Sequence, residues 1–423
     1  MKRRVVFFLL PALVALATGG CTLHDESDEN IVLLVAFDGF RWDYPDLYHT
    51  PNLESMERGG VRAMRLFPSF PSKTFPNMYT LATGLHPDNH GIIDNTFYSP
   101  ELDYLYRMGD RNAVENGDFY SGEPIWVTAS QQGLITGSFF WVGSEAPIGG
   151  RHPDYWKRFD SSVPFIERID TVVKWLGYPP DKRPNLITLY YEEPDMTGHN
   201  YGPVSEQTGE VVREIDSLIG LLREKIALLP VAGSINLIVL SDHGMAEISP
   251  DRYIDLTTVI PRDSMIAVYG GNPVYNINVS EYYIDEAVAA IRAREGISGW
   301  HRDSLPEQLN YGSNYRVQPL VVVADSSWSV GLRRYAGSYR GGAHGWDPAN
   351  GDMHSIFYAE GPAFKRGAVV DTLYNVDIYN VVAAILNIEP APNDGDAFRA
   401  SALFSDRAIR RRIEGFSMNL TER

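Results

Sequence analysis

The 423-residue sequence predicts an α/β fold, a mostly parallel central sheet flanked by helices and carrying a smaller inserted α+β module. Three observations predict it. Apolar runs of strand length stand at 31–37, 186–191 and 235–240, each bounded by turn formers. Between the last two, VVREIDSLIGLLREKIALL carries helical spacing, the alternation expected of a crossover between parallel strands. Just past each run comes an aspartate or a histidine, which gathers these groups at the carboxyl edge of the sheet, the usual ligand crevice of such folds.

Taken in chain order, residues 1–20 read as a signal peptide. MKRR is basic, VVFFLLPALVALA is apolar, and ATGG supplies small residues before Cys21. The apolar run is too short to span a bilayer comfortably. Cys21, the only cysteine, resembles the acceptor of a bacterial lipoprotein, which would tie the mature chain to a membrane in the periplasm or cell envelope. Thr18 stands where that motif usually has leucine, so an ordinary signal peptide releasing an unanchored exported product is the alternative. Residues 21–30 form a polar leader, and 31–423 read as a single catalytic domain without low-complexity linkers or repeats. A net charge of -17 argues against a groove that tracks nucleic acid. It leaves room for a small anionic substrate if cations compensate the acids.

Asp38 ends the first apolar run and precedes Gly39, which allows close backbone approach. Thr74 lies in SKTFPNMYTLATG, where Pro76 suits a first helical turn and Gly84 a stop, so its hydroxyl sits near a helix amino terminus that favours phosphate. Asp195 and His199, four apart, face one way if the segment is helical. Asp242 and His243 follow the third run and precede Gly244. Each of these taken alone would read as a turn, a cap or a solvated pair; their coincidence reads as a two-metal site. One more donor is expected from GGAHGWDP, His344, with His354 the rival but better suited to a core position beside Ser355, Ile356 and Phe357. A mixed nitrogen and oxygen set of this kind suits zinc better than magnesium or calcium. Residues 264–323 look like the inserted module, a lid or an edge extension.

AFDGFR, FPSKTFPN with TGLHPDNHGIIDN, FFWVGSE, YYEEPDMTGHNYGP, LSDHGM, GGAHGWDP and APNDG together resemble the nucleotide pyrophosphatase/phosphodiesterase family of the alkaline phosphatase superfamily. That resemblance implies the alkaline-phosphatase-like three-layer fold and two zinc ions per chain. One would be held by Asp195, His199 and His344, the other by Asp38, Thr74, Asp242 and His243. It implies Thr74 as the nucleophile forming a phospho-threonine ester and Asn95 as the amide holding a phosphate oxygen. Phe75, Trp141, Phe159 and Tyr190 would form the pocket for a small nucleotide, Phe159 standing where the family has a tyrosine. The loop 149–162 favours a nucleotide diester or pyrophosphate; a lipid-type diesterase or a phosphate monoesterase of the same superfamily is the alternative. Oligomeric state leaves no mark in the sequence.

Overall fold

A computed structural model describes residues 30–333, 337 and 339–420, so the signal peptide and Cys21 lie outside the described residues. Its centre is an eight-stranded sheet. Across the sheet the strands run Ala368–Tyr374, Val61–Phe67, Ser355–Glu360, Ile235–Leu240, Ile31–Phe37, Leu186–Tyr191, Thr136–Phe139 and Tyr155–Lys157. Ser355–Glu360 pairs antiparallel with both neighbours and every other pairing is parallel. All seven residues of Ile31–Phe37 are buried, the continuous apolar run of a strand covered on both faces.

Helices complete the other two layers. Pro51–Gly59, Phe165–Leu176 and Glu206–Ala227 pack together as one group, while Thr74–Thr83, Ile125–Gln131 and Ile378–Leu386 form a second. Glu206–Ala227 starts five residues before the apolar spacing that predicts it, because the Ser205 side chain accepts from the Thr208 amide and caps the amino end. Among the described residues no helix is long and apolar enough to cross a membrane.

Register explains why the site lies where it does. Ala36 pairs with Tyr190 on one side and Leu240 on the other, so the first strand and both neighbours end level. Asp38, Asp195, Asp242 and His243 therefore emerge at one edge.

Residues 265–324 build a separate four-stranded antiparallel sheet, Met265–Gly271, Val274–Val279, Leu320–Ala324 and Ile297–His301, with the helix Ile284–Arg292 against it. It has its own apolar core, which also draws in Ile254, Leu256, Ile260 and Val330. Those flanking residues carry no periodic signal of their own and lie outside the span 264–323 expected for the module.

Candidate active site

Two clusters of potential metal ligands meet at the sheet edge: Asp195, His199 and His344 in one, Asp38, Asp242 and His243 in the other. His199 Nε2 lies 3.4 Å from Asp195 Oδ2, and His344 Nε2 lies 3.5 Å from Asp195 Oδ1. His243 Nε2 is 3.3 Å from both Asp38 Oδ1 and Asp242 Oδ2. The His243 and His344 rings stack with centroids 3.7 Å apart, so the clusters share a wall. Asp195 and His199 sit on one turn of the helix Asp195–Tyr201, as their spacing predicts. Gly39, at φ +68°, lets the strands close up: a Cβ there would lie 2.9 Å from Asp195 Cα.

The protonation pattern is readable from the backbone. His199 Nδ1 faces Gly342 O, His243 Nδ1 faces Gly244 O, and His344 Nδ1 faces Ser72 O, each at 2.9 Å. A carbonyl only accepts, so in all three rings Nδ1 carries a proton and Nε2 is the nitrogen turned toward the carboxylates. Burial, and then His243 and His199, pushes His344 well below the usual imidazole range, which keeps it neutral. Burial, then the charges of Asp242 and Asp195, holds Asp38 well above the usual carboxylate range. Asp195 Oδ1 and Asp242 Oδ2 are buried and, among the described residues, accept no hydrogen bond. Orphaned buried oxygens, repelling carboxylates and three inward-turned imidazole Nε2 atoms are what a cation would satisfy. The residues fit two divalent metal ions, and the nitrogen and oxygen mixture suits zinc.

Thr74 is the first residue of the helix Thr74–Thr83, and Lys73, not Thr74, occupies the N-cap. Its Oγ1 is 3.2 Å from His243 Nε2 and 3.4 Å from Asp38 Oδ1. With 9% of its surface exposed, the hydroxyl faces a cavity of about 340 Å³. Asn95 Oδ1 accepts from the Phe75 amide at 3.0 Å, which leaves its Nδ2 as a donor not spent on that bond.

Phe75, Phe159 and Tyr190 line the cavity with Asp38, Thr74 and Asp195 at its floor. Trp141 does not reach it, which corrects the pocket assignment made from the sequence. The indole is 0% exposed and donates to Met78 O at 2.9 Å, beneath the Thr74–Thr83 helix. Phe140 takes the wall instead, edge-on to Phe159 at 5.2 Å. Met108, Val114, Val142 and Met196 complete the apolar lining, and the sequence does not single out any of these five. The one available signal was that Phe140 directly follows a strand ending at the same sheet edge. His354 stays in the core, its Nε2 2.9 Å from Pro348 O and its ring on Phe67.

Tyr190 has a second attachment that its aromatic character does not announce. Its hydroxyl donates to Asp38 Oδ2 at 2.5 Å. Such a bond orients a ligating carboxylate. Tyr190→Phe is expected to keep the aromatic wall and weaken zinc binding by roughly tenfold, read by competition with a chelating dye; unchanged affinity would show that Asp38 is oriented without it.

Residues 32–347 match the family described as type I phosphodiesterase / nucleotide pyrophosphatase. Human ectonucleotide pyrophosphatase/phosphodiesterase family member 1 is 37% identical over 382 residues, 86% of this chain and 40% of that protein. Venom phosphodiesterase CdcPDE of Crotalus durissus collilineatus is 35% identical over 378 residues, 87% of this chain and 46% of that protein. The chain thus spans less than half the length of these curated relatives. Among solved structures, murine ectonucleotide pyrophosphatase / phosphodiesterase 5, in an inactive form in complex with AMP, superposes with a TM-score of 0.85 at 33% identity. That match covers 89% of this chain and 100% of the other.

Proposed function

The chain belongs to the type I phosphodiesterase / nucleotide pyrophosphatase family of the alkaline phosphatase superfamily, and from that premise we propose that it hydrolyses nucleotide phosphodiester or pyrophosphate bonds to release a nucleoside 5'-monophosphate. The observation that carries this reading is Thr74 Oγ1, at a helix amino terminus and within 3.4 Å of Asp38 and His243. Two zinc ions, one at Asp195, His199 and His344 and one at Asp38, Asp242, His243 and Thr74, would supply positive charge that favours an ionised hydroxyl and the charge developing on phosphate.

The chain's own groups divide the remaining work. Thr74 Oγ1 forms the new bond to phosphorus as the bond to the departing oxygen breaks, leaving a phospho-threonine ester. Water then attacks phosphorus and the Thr74–phosphate bond breaks, restoring the hydroxyl. Asn95 Nδ2 donates to a non-bridging oxygen, and the amino end of the Thr74–Thr83 helix favours the same anion. Phe75, Phe140, Phe159 and Tyr190 offer ring faces to a base. Support for a nucleotide comes from AMP in the murine relative. The ectoenzyme names of the relatives and the leader sequence support export, with Cys21 as anchor.

Diesters should be preferred over monoesters. Arg111, the cation in the cavity lining, is paired with Glu145 and, at 2.5 Å, with Glu115. It is not free to meet the second charge of a monoester. The nitrophenyl ester of a nucleoside monophosphate is expected to exceed nitrophenyl phosphate by about 100-fold or more in kcat/KM, roughly 3 kcal/mol of transition-state discrimination. A monoester preference would sink the proposal, and faster cleavage of a lysophospholipid would move the protein to the lipid-type branch.

A further inference from the structure

The segment that carries Asn95 is fastened to the inserted module along most of its length. The Asp88 carboxylate accepts from the amides of Gly312, Ser313 and Asn314 at 3.0, 2.7 and 3.1 Å. Tyr311 donates its hydroxyl to Ile93 O at 3.2 Å, and Tyr98 stacks on Tyr269 with centroids 5.8 Å apart. At the middle of this seam stands one ammonium group. Lys73 Nζ donates to Asp94 Oδ2 at 2.7 Å and to Gly271 O at 3.1 Å, with the two side chains only 6% and 1% exposed.

The places of these three residues give the contact its meaning. Lys73 occupies the N-cap and directly precedes Thr74; Asp94 directly precedes Asn95; Gly271 ends the first strand of the module. The loop of His344 packs on the same group, since a Cβ on Gly345 would lie 2.7 Å from Pro273 and 3.1 Å from Lys73 Cε. Among the described residues Asn95 itself makes one hydrogen bond to the nucleophile segment, from the Phe75 amide to Asn95 Oδ1, while His90, further back, contacts Thr80 Oγ1 and Pro76 O on the same helix.

We propose that Lys73 and Asp94 are a positioning pair through which the inserted module fixes Thr74 relative to Asn95. The proposal rests on the roles assigned to Thr74 and Asn95 under Proposed function, and it gives the module a part in catalysis without any contact to substrate. A displacement of about 1 Å between nucleophile and phosphate-holding amide is enough to cost up to roughly 100-fold in rate.

Removing Lys73 alone would leave a buried, uncompensated carboxylate and lower stability for that reason. The decisive variant is therefore Lys73→Met with Asp94→Asn, which removes both charges and keeps an oxygen for the Thr96 amide that Asp94 Oδ1 now accepts from. Its Tm is expected to return near wild type. Its kcat for the nucleotide diester should stay at least tenfold down with KM unchanged within twofold, and deuterium exchange at the Phe75 amide should be faster. Lys73→Arg keeps the charge but not the compact reach to both acceptors, so the same kcat loss at unchanged Tm is expected. Recovery of kcat together with Tm, or wild-type exchange at Phe75, would overturn the proposal and leave an ordinary buried ion pair. If the wild-type protein itself shows no diester turnover, the functional reading fails, while exchange at Phe75 still decides whether the pair holds the segment.

Discussion

Thr74→Ala is expected to lower kcat toward a nucleotide diester by about 10⁴-fold or more while leaving a folded protein that still binds zinc. The fold has little to lose, because no side chain caps the amino end of this helix and Thr74, its first residue, adds no capping bond. The Thr74–Thr83 helix also keeps its buried face of Met78, Tyr79, Leu81 and Ala82. Catalysis would lose the group proposed to bond to phosphorus, and among the described residues no other hydroxyl lies in the cavity lining except that of Tyr190, which is engaged with Asp38. Steady-state kinetics beside thermal melting and zinc titration check this. Activity within tenfold of wild type would remove Thr74 from the reaction.

Asp38→Asn is expected to change sign with metal. Without cations, burial holds Asp38 and Asp242 above the usual carboxylate range, and for Asp38 the charges of Asp242 and Asp195 add to it. The folded protein then keeps protons that the unfolded chain has released. Stability of the metal-free protein therefore falls as pH rises from about 4 toward the raised folded values. Removing the Asp38 charge relieves this, so Asp38→Asn should raise the Tm of the chelated protein and flatten its pH slope. In the zinc-loaded protein the same change removes a ligand, lowering Tm and cutting kcat by about 10³-fold. Loading itself should add about 4 kcal/mol per site when free zinc exceeds Kd a thousandfold. Calorimetry with and without chelator reads both arms; one sign in both states would mean that the carboxylates are not gathered for a cation.

Much of this site was legible because its signals are local. Three apolar runs followed by Asp38, the Asp195 segment and Asp242 predict both the strands and their common edge, and the register places them level. His344 could be preferred to His354 from neighbours alone, loop glycines against a returning apolar strand. Trp141 failed for a physical reason: Phe140 sits at φ +71°, which breaks the strand alternation just where the choice between cavity and core is made. The family resemblance places Trp141 in the pocket, whereas the turn at Phe140 brings the neighbouring ring to the wall. The bond from Lys73 to Gly271 spans 198 positions, and nothing in either neighbourhood announces it. Contacts made by one ammonium and one carbonyl leave no periodicity to read.

The place of Ile31–Phe37 in the sheet has a bearing on how the chain is made. Its two partners begin only at Leu186 and Ile235, so this wholly apolar strand is synthesised well before either partner and paired late. For some 150 residues of elongation both of its edges stay open, and it can close neither against its own chain. Parallel pairing at such separation is slow and exposes an aggregation-prone edge meanwhile. Asp38, where the candidate metal site begins, therefore follows directly on a strand whose edges stay open through much of elongation.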